Sequence, residues 1–265
     1  MIISDQHGLA FVHIPKCAGT AIRLQLEALD SYNGLFSRKG VHPVLGPVDY
    51  SHLTLATLRE HFPEQFQKLC AYRTFAIVRD PYTRFLSAAL QHLQEFEQVG
   101  QEKFQADWVA SQVLEIAGKL VAGQHRKPEY VHFTAQTAFV AIEGRRIVQD
   151  IFSFEDMAPL AVALRNEFGI RIKVDNPQNK SSVPDRAPVR AMRRMIGPSY
   201  RRIIPQDVRN RVNRVAGAAR IINTPGALYE RLLRRPDICT FIDSYYADDI
   251  ALYRSLPKSR SATRP

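Results

Sequence analysis

Leu9-Ala10-Phe11-Val12-His13-Ile14-Pro15-Lys16-Cys17-Ala18-Gly19-Thr20 is the stretch from which the fold follows. The apolar run Leu9–Ile14 ends at Pro15, and a lysine, two small residues, a glycine and a threonine come next. Helical spacing then begins at once in Ala21, Ile22, Leu24, Leu26 and Leu29. This pattern predicts a buried strand over 9–14, a tight loop, and a helix over 20–29. The free N–H groups and positive dipole end of such a helix attract anions, so the expected ligand is a phosphate or a sulfate. The order is not that of a Walker A loop, where lysine follows the second glycine and Ser/Thr comes next. Here Lys16 precedes Gly19 by three residues, which places its ammonium at the loop mouth. Pro15, Lys16, Cys17, Ala18, Gly19, Thr20 and Ala21 are therefore the candidate anion loop. The amides of Ala18 to Ala21 and the Thr20 hydroxyl would wrap an inner phosphate, with Gly19 allowing close backbone approach. Taken alone, a β–α turn with a chance lysine fits this loop equally well.

A second run, Thr74-Phe75-Ala76-Ile77-Val78-Arg79-Asp80-Pro81, changes the balance. It predicts a second parallel strand ending at Arg79, followed by a helix over 82–96 with Ser87 two turns inside it. A guanidinium at a strand end with a helical hydroxyl nearby can clamp another phosphate. The simpler alternative pairs Arg79 with Asp80 and leaves Ser87 as a cap or a solvent-facing residue.

Further along, residues 31–51 hold Gly34, Gly40, Pro43, Gly46 and Pro47 and are expected to form a long loop. Leu53–Leu69 has helical spacing broken by Pro63. A helix is expected over 104–121, with Trp108, Leu93, Phe96 and Phe104 as core. Beta-rich runs at 137–142 and 147–154 flank the turn Glu143-Gly144-Arg145, and a helix over 157–168 stops at Gly169. A polar loop over 175–188 and a mostly helical remainder ending in 240–256 complete the chain. Strands alternating with helices predict an α/β fold built on a parallel sheet.

Together the two anion-binding segments resemble the sulfotransferase family that uses 3′-phosphoadenosine-5′-phosphosulfate. His13-Ile14-Pro15-Lys16-x-Ala18-Gly19-Thr20 is similar to its 5′-phosphosulfate loop, and Val78-Arg79-Asp80-Pro81-x-x-Arg84-x-x-Ser87 to its 3′-phosphate segment. The branch most resembled is that of the Golgi carbohydrate sulfotransferases and their soluble bacterial relatives. His132-Phe133-x-x-Gln136, Phe152-Ser153-Phe154-Glu155-Asp156, Asn179-Lys180-Ser181 and the stretch from Tyr245 to Tyr253 also fit it. The resemblance implies a P-loop-like parallel sheet flanked by helices, with a mostly helical C-terminal part. It implies donor binding by the loop, Arg79 and Ser87, no metal, and a hydroxyl acceptor, with carbohydrate the first expectation. Asn179, Lys180 and Ser181 could also contact the nucleotide. Ala135 stands where the branch usually has proline, and the Golgi members' membrane anchor and luminal disulfides have no counterpart here.

Hydrophobic residues make up 45% and charged residues 23% of the 265, an ordinary globular composition with room for a full core. No apolar run approaches the ~20 residues of a membrane span. The N-terminal residues lack the pattern of a secretory signal. Cys17, Cys70 and Cys239 are too scattered for a disulfide framework or a zinc site. A reducing, cytoplasmic setting is expected. The expected organisation is one domain over 1–256, carrying an Arg-rich helical insertion at about 186–235, and a flexible tail over 257–265.

Between Arg186 and Arg235 there are thirteen arginines against two acids, enough to account for the whole net charge of +10. All-arginine usage favours contact with carboxylate, sulfate or phosphate, so an anionic acceptor or an acidic docking surface is expected. Thin aromatic interleaving argues against nucleic acid.

Sulfuryl transfer requires a cation at the leaving oxygen and a base for the acceptor hydroxyl. Lys16 is the candidate for the first and His52, which precedes a helix, for the second. His42 is the reserve base; His13 is expected in the core, and His132 is expected to hold a turn. Cys17 is expected to be a small filler rather than a nucleophile. Two other classes stay open: a nucleotide-dependent kinase on a similar sheet, and a non-catalytic anion-binding module.

Overall fold

β1 (Ile2–Ser4) runs antiparallel to β2 (Leu9–Val12). β2 pairs in parallel with β5 (Arg73–Val78), which pairs in parallel with β8 (Asp150–Ser153), giving one sheet in the order β1-β2-β5-β8. In this computed structural model residues 1–95, 106–124, 127–174 and 226–257 are described. The loop over 175–188 with Asn179, Lys180 and Ser181, most of the Arg-rich stretch, Phe96, Phe104 and the tail from 258 lie outside the described residues.

All four residues of β2, and Thr74 to Val78 of β5, are buried, as strands covered on both faces must be. The register aligns Val12 with Ala76 and Val78 with Ser153, so the chain leaves β2 and β5 at the same carboxyl edge. That edge is where open α/β sheets bind ligands. The helices expected there form as α1 (Gly19–Leu26), extended by a 3₁₀ turn over 27–29, and as α4 (Pro81–Glu95). Asp80 starts α4, its Oδ1 accepting from the Thr83 N–H at 2.9 Å. Asp80 is therefore a helix cap and not the partner of Arg79.

α2 (Leu55–His61) and α3 (Pro63–Ala71) divide at Phe62, with Pro63 opening the second helix, as the sequence predicts. α5 covers Ala106–Val121 and α6 Ala158–Phe168, closed by Gly169 at φ 70°. Trp108 is half-buried on α5, and Leu93 is buried on α4. α7 (Gly226–Leu233), α8 (Pro236–Tyr245) and α9 (Ala247–Arg254) follow. The single run expected over 240–256 thus divides at Tyr246. α8 packs against α4 and α5, and α9 against α4. Among the described residues no helix is long and apolar enough to cross a membrane.

Two expectations are corrected, and one strand was not foreseen. Residues 31–51 are not one loop: they hold a 3₁₀ turn, Leu35–Ser37, and a hairpin of β3 (Lys39–His42) and β4 (Gly46–Asp49). Its glycines and prolines hid the strands, and Gly46 at φ 68° serves the turn. Residues 136–139 form a 3₁₀ turn rather than a strand, leaving only the short hairpin β6 (Ala141–Ile142) and β7 (Arg145–Arg146). The antiparallel strand β1 was not expected, because three residues, two isoleucines and a serine, are too few to show a period. Its outer edge is covered: the Ile3 N–H donates to Asp30 Oδ1 at 3.2 Å, and the Ile3 carbonyl accepts from the Ser31 N–H at 2.8 Å.

Candidate active site

Lys16 and Ala18 have positive φ, 68° and 57°, on either side of Cys17. Such a conformation costs a non-glycine residue about 1 kcal/mol or more, and clusters where backbone amides are turned to a ligand. Ala18 lies at the N-terminus of α1 without a side-chain cap, and the Ala21 N–H donates to the Ala18 carbonyl at 3.0 Å. The first-turn amides of Gly19 and Thr20 have no earlier helical carbonyl to reach. Thr20 is exposed beside them and Pro15 is buried behind them.

Gly19 has a reason the sequence did not reveal. A Cβ there would lie 1.9 Å from Cδ2 of His13, so the imidazole occupies the space a side chain would need. The glycine thus admits a ring from the strand end, in addition to any approach of a ligand to its backbone.

The second segment lies against the first. The Arg79 guanidinium donates through Nη1 to the Lys16 carbonyl at 3.4 Å and through Nε to Thr83 Oγ1 at 3.2 Å, and stacks over Phe154 at 4.6 Å. Thr83, Ser87 and Gln91 follow at four-residue spacing and share one face of α4. Thr83 meets Arg79, and Gln91 Oε1 accepts from Lys16 Nζ at 2.6 Å. Ser87, between them, is buried near Tyr229, whose hydroxyl is raised by burial against the opposing Arg79 charge and Ser87. Gln91 is oriented in turn by donating its Nε2 to Glu95 at 2.7 Å. Burial and then the Arg79 charge pull the Lys16 ammonium down to about 8.

The histidines gather on the other side. His13 and His52 meet edge to face with centroids 4.6 Å apart, and His52 and His132 at 5.4 Å. His52 Nδ1 lies 3.5 Å from the His13 carbonyl, which can only accept; the tautomer that fits carries its proton on Nδ1 and leaves the Nε2 lone pair free. Burial lowers His52 to about 4, against the pull of Asp49, and lowers His132 to about 3, with His52 and Lys16 adding to it. His13 is held well below its ordinary value, first by burial. The reserve base His42 is elsewhere: its Nδ1 accepts from the Val44 and Leu45 N–H groups, closing the β3–β4 turn, and its ring faces His61 and Phe62. Among the described residues no group of three or more His, Cys, Asp or Glu is arranged to hold a metal ion.

This trio makes stability depend on pH. Unfolded histidines titrate near 6.5, above the folded values, so below pH 6.5 the unfolded chain binds more protons. Stability contributed by the trio is therefore complete above pH 6.5 and lost as pH falls toward 4. A loss of about 3 kcal/mol is expected, allowing for the partial exposure of His52 and His132. Urea midpoints at pH 7.5 and 4.5 measure it. An equal loss in His132→Gln would clear His132 of any share in it.

From sequence, Gln136 is expected only to close the turn that His132 holds. Its side chain joins the 15–21 loop to the end of β5: Oε1 accepts from the Arg79 N–H at 2.9 Å and the Cys17 thiol at 3.2 Å, and Nε2 donates to the Arg79 carbonyl at 2.9 Å. Its backbone N–H donates to Asp249 Oδ2 at 2.8 Å, and Asp249 Oδ1 accepts from the Thr137 N–H and hydroxyl at 2.9 and 3.1 Å. Asp249 faces the buried Arg84 at 3.6 Å. Cys17 is fully enclosed and burial pushes its thiol up to about 12, which suits a neutral donor and not a nucleophile. Gln91 carried no signal beyond its spacing from Ser87.

The arrangement offers two neighbouring cationic positions, a strained loop at a helix N-terminus, and a neutral imidazole trio beside the loop. No curated protein and no solved structure gives a match to the chain. A family model described as the sulfotransferase family does, over residues 1–182, a span that includes the loop, Arg79, Ser87, Gln91, the three histidines and Gln136. On this match, which spans more than half of its length, the chain belongs to the sulfotransferase family.

Proposed function

We propose that the protein moves a sulfuryl group from 3′-phosphoadenosine-5′-phosphosulfate to a hydroxyl acceptor by in-line displacement. The observation that carries this reading is the contact of Arg79 with the Lys16 carbonyl, which sets two phosphate-type positions side by side. The loop from Pro15 to Ala21 takes the 5′ side of the donor, and Arg79 with Ser87 takes the 3′-phosphate. Lys16 neutralises charge on the leaving phosphate oxygen as the sulfur–oxygen bond breaks. His52 Nε2 accepts the proton of the attacking hydroxyl, with Nδ1–H directed at the His13 carbonyl.

The acceptor we propose is a carbohydrate, anionic where it meets the arginines of 186–235, and the setting a reducing, cytoplasmic one. The first rests on the resemblance and the charge, the second on three scattered cysteines. No metal takes part in this scheme, since cations and amides hold the donor.

Calorimetry with 3′-phosphoadenosine-5′-phosphate tests the donor. Micromolar binding is expected in the wild type and not in Arg79→Ala; a preference for ATP with magnesium would overturn the reading in favour of a kinase. His52→Ala is expected to lower sulfuryl transfer about 10²-fold or more while donor binding persists. Full activity in that variant would remove His52 from the base position.

A further inference from the structure

Gln136 is fully buried, and each of its amide atoms is engaged. Two of its bonds go to the backbone of Arg79, where β5 has just run past its pairing with β8 at Val78. There the amide stands in for a neighbouring strand by supplying one acceptor and one donor to the same residue. Satisfying that backbone would explain those two bonds and no more. The third crosses to the Cys17 thiol, in the middle of the loop that holds Lys16 and Ala18 at positive φ, and Gln136 Oε1 at 3.2 Å is a nearer acceptor for that thiol than the Pro15 carbonyl at 3.4 Å. The backbone of Gln136 is itself fixed by Asp249, so the amide cannot follow one segment without the other.

We propose that Gln136 is a positioning residue that sets the spacing between the 5′ loop and the Arg79 strand end, so that a donor holding phosphate groups at both ends gains from both at once. This rests on the donor reading above. A ligand that spans two sites benefits from their spacing, whereas a ligand that uses one site does not. Loosening the link therefore weakens 3′-phosphoadenosine-5′-phosphate more than adenosine-5′-phosphate, which lacks the 3′ group. Cys17 is the loop's handle on this device, and its thiol needs only to be a donor.

The test measures Kd for both nucleotides by calorimetry in the wild type, Cys17→Ala, Cys17→Ser and Gln136→Met. The preference for the 3′-phosphorylated nucleotide is expected to fall about five- to tenfold in Cys17→Ala, the worth of one buried hydrogen bond, and to return in Cys17→Ser. Gln136→Met removes the same link together with the Arg79 bonds and can fail to fold. The Ala and Ser variants of Cys17, which differ from each other only in the presence of a hydroxyl donor, then decide alone. Equal weakening of both nucleotides in Cys17→Ala, with the preference intact, would overturn the proposal while sparing the donor reading. A wild type that does not distinguish the two nucleotides would instead overturn the donor reading itself.

Discussion

Asp249→Ala is expected to destabilise the fold by about 3–5 kcal/mol. The Arg84 guanidinium is 1% exposed and has no other carboxylate within ion-pair distance among the described residues. Its Nη1 donates to the His132 carbonyl at 3.2 Å and its face lies over Tyr246, but Nε and Nη2 have no hydrogen-bond partner. Removing Asp249 therefore leaves a buried, under-bonded charge. It also strips acceptors from the buried Gln136 amide and the part-buried Thr137 amide. Chemical denaturation of the two proteins side by side measures the loss. Replacing both partners with apolar side chains, Arg84→Met with Asp249→Leu, is expected to cost less than Asp249→Ala alone, because no orphaned charge remains. A drop below 1 kcal/mol in the single variant would show that Arg84 does not depend on this carboxylate.

Lys16→Met carries the largest expected effect on rate. A cation aimed at charge that develops on a leaving group is worth about 10²–10³ in kcat when removed. Binding of the desulfated product should change far less, since Arg79 and the loop amides persist. The pH profile adds an independent mark. With the Lys16 ammonium brought down to about 8, kcat/KM for the wild type is expected to decline above pH 8 as the free enzyme loses that proton. Lys16→Met should lack this limb altogether. Lys16→Arg is not an equivalent, because a planar fork cannot take the compact ammonium's place against Gln91 at 2.6 Å. A variant that keeps kcat within about threefold would exclude Lys16 from the leaving side.

Much of the geometry behind the proposed donor side was legible because it is local. Pro15, Lys16, Gly19 and the following helical period are contiguous, and Arg79 with Ser87 repeats the same strand–turn–helix logic. The resemblance bridged the two, and the sheet register then placed them at one edge. What could not be read is what joins distant parts of the chain. His13 directly follows the core residues of β2, and nothing in its neighbourhood announces that its ring fills the space above Gly19. Gln136 and Asp249 are 113 residues apart and meet only through the fold. The hairpin at 39–49 was missed for a different reason: prolines and glycines that signal loops also occur where a short, half-exposed ribbon turns. β1 is too brief to show any period, so only its pairing with β2 reveals it.

The covered flank of β1 bears on behaviour in concentrated solution. A free sheet margin recruits strands from other chains and seeds self-association. Here Asp30 and Ser31 already take the N–H and carbonyl of Ile3, the middle residue of the outermost strand. An incoming strand would have to displace a carboxylate from an amide before gaining a single ladder bond. On that side the sheet is closed to addition by three residues of strand and two of loop, a protection obtained without lengthening the fold.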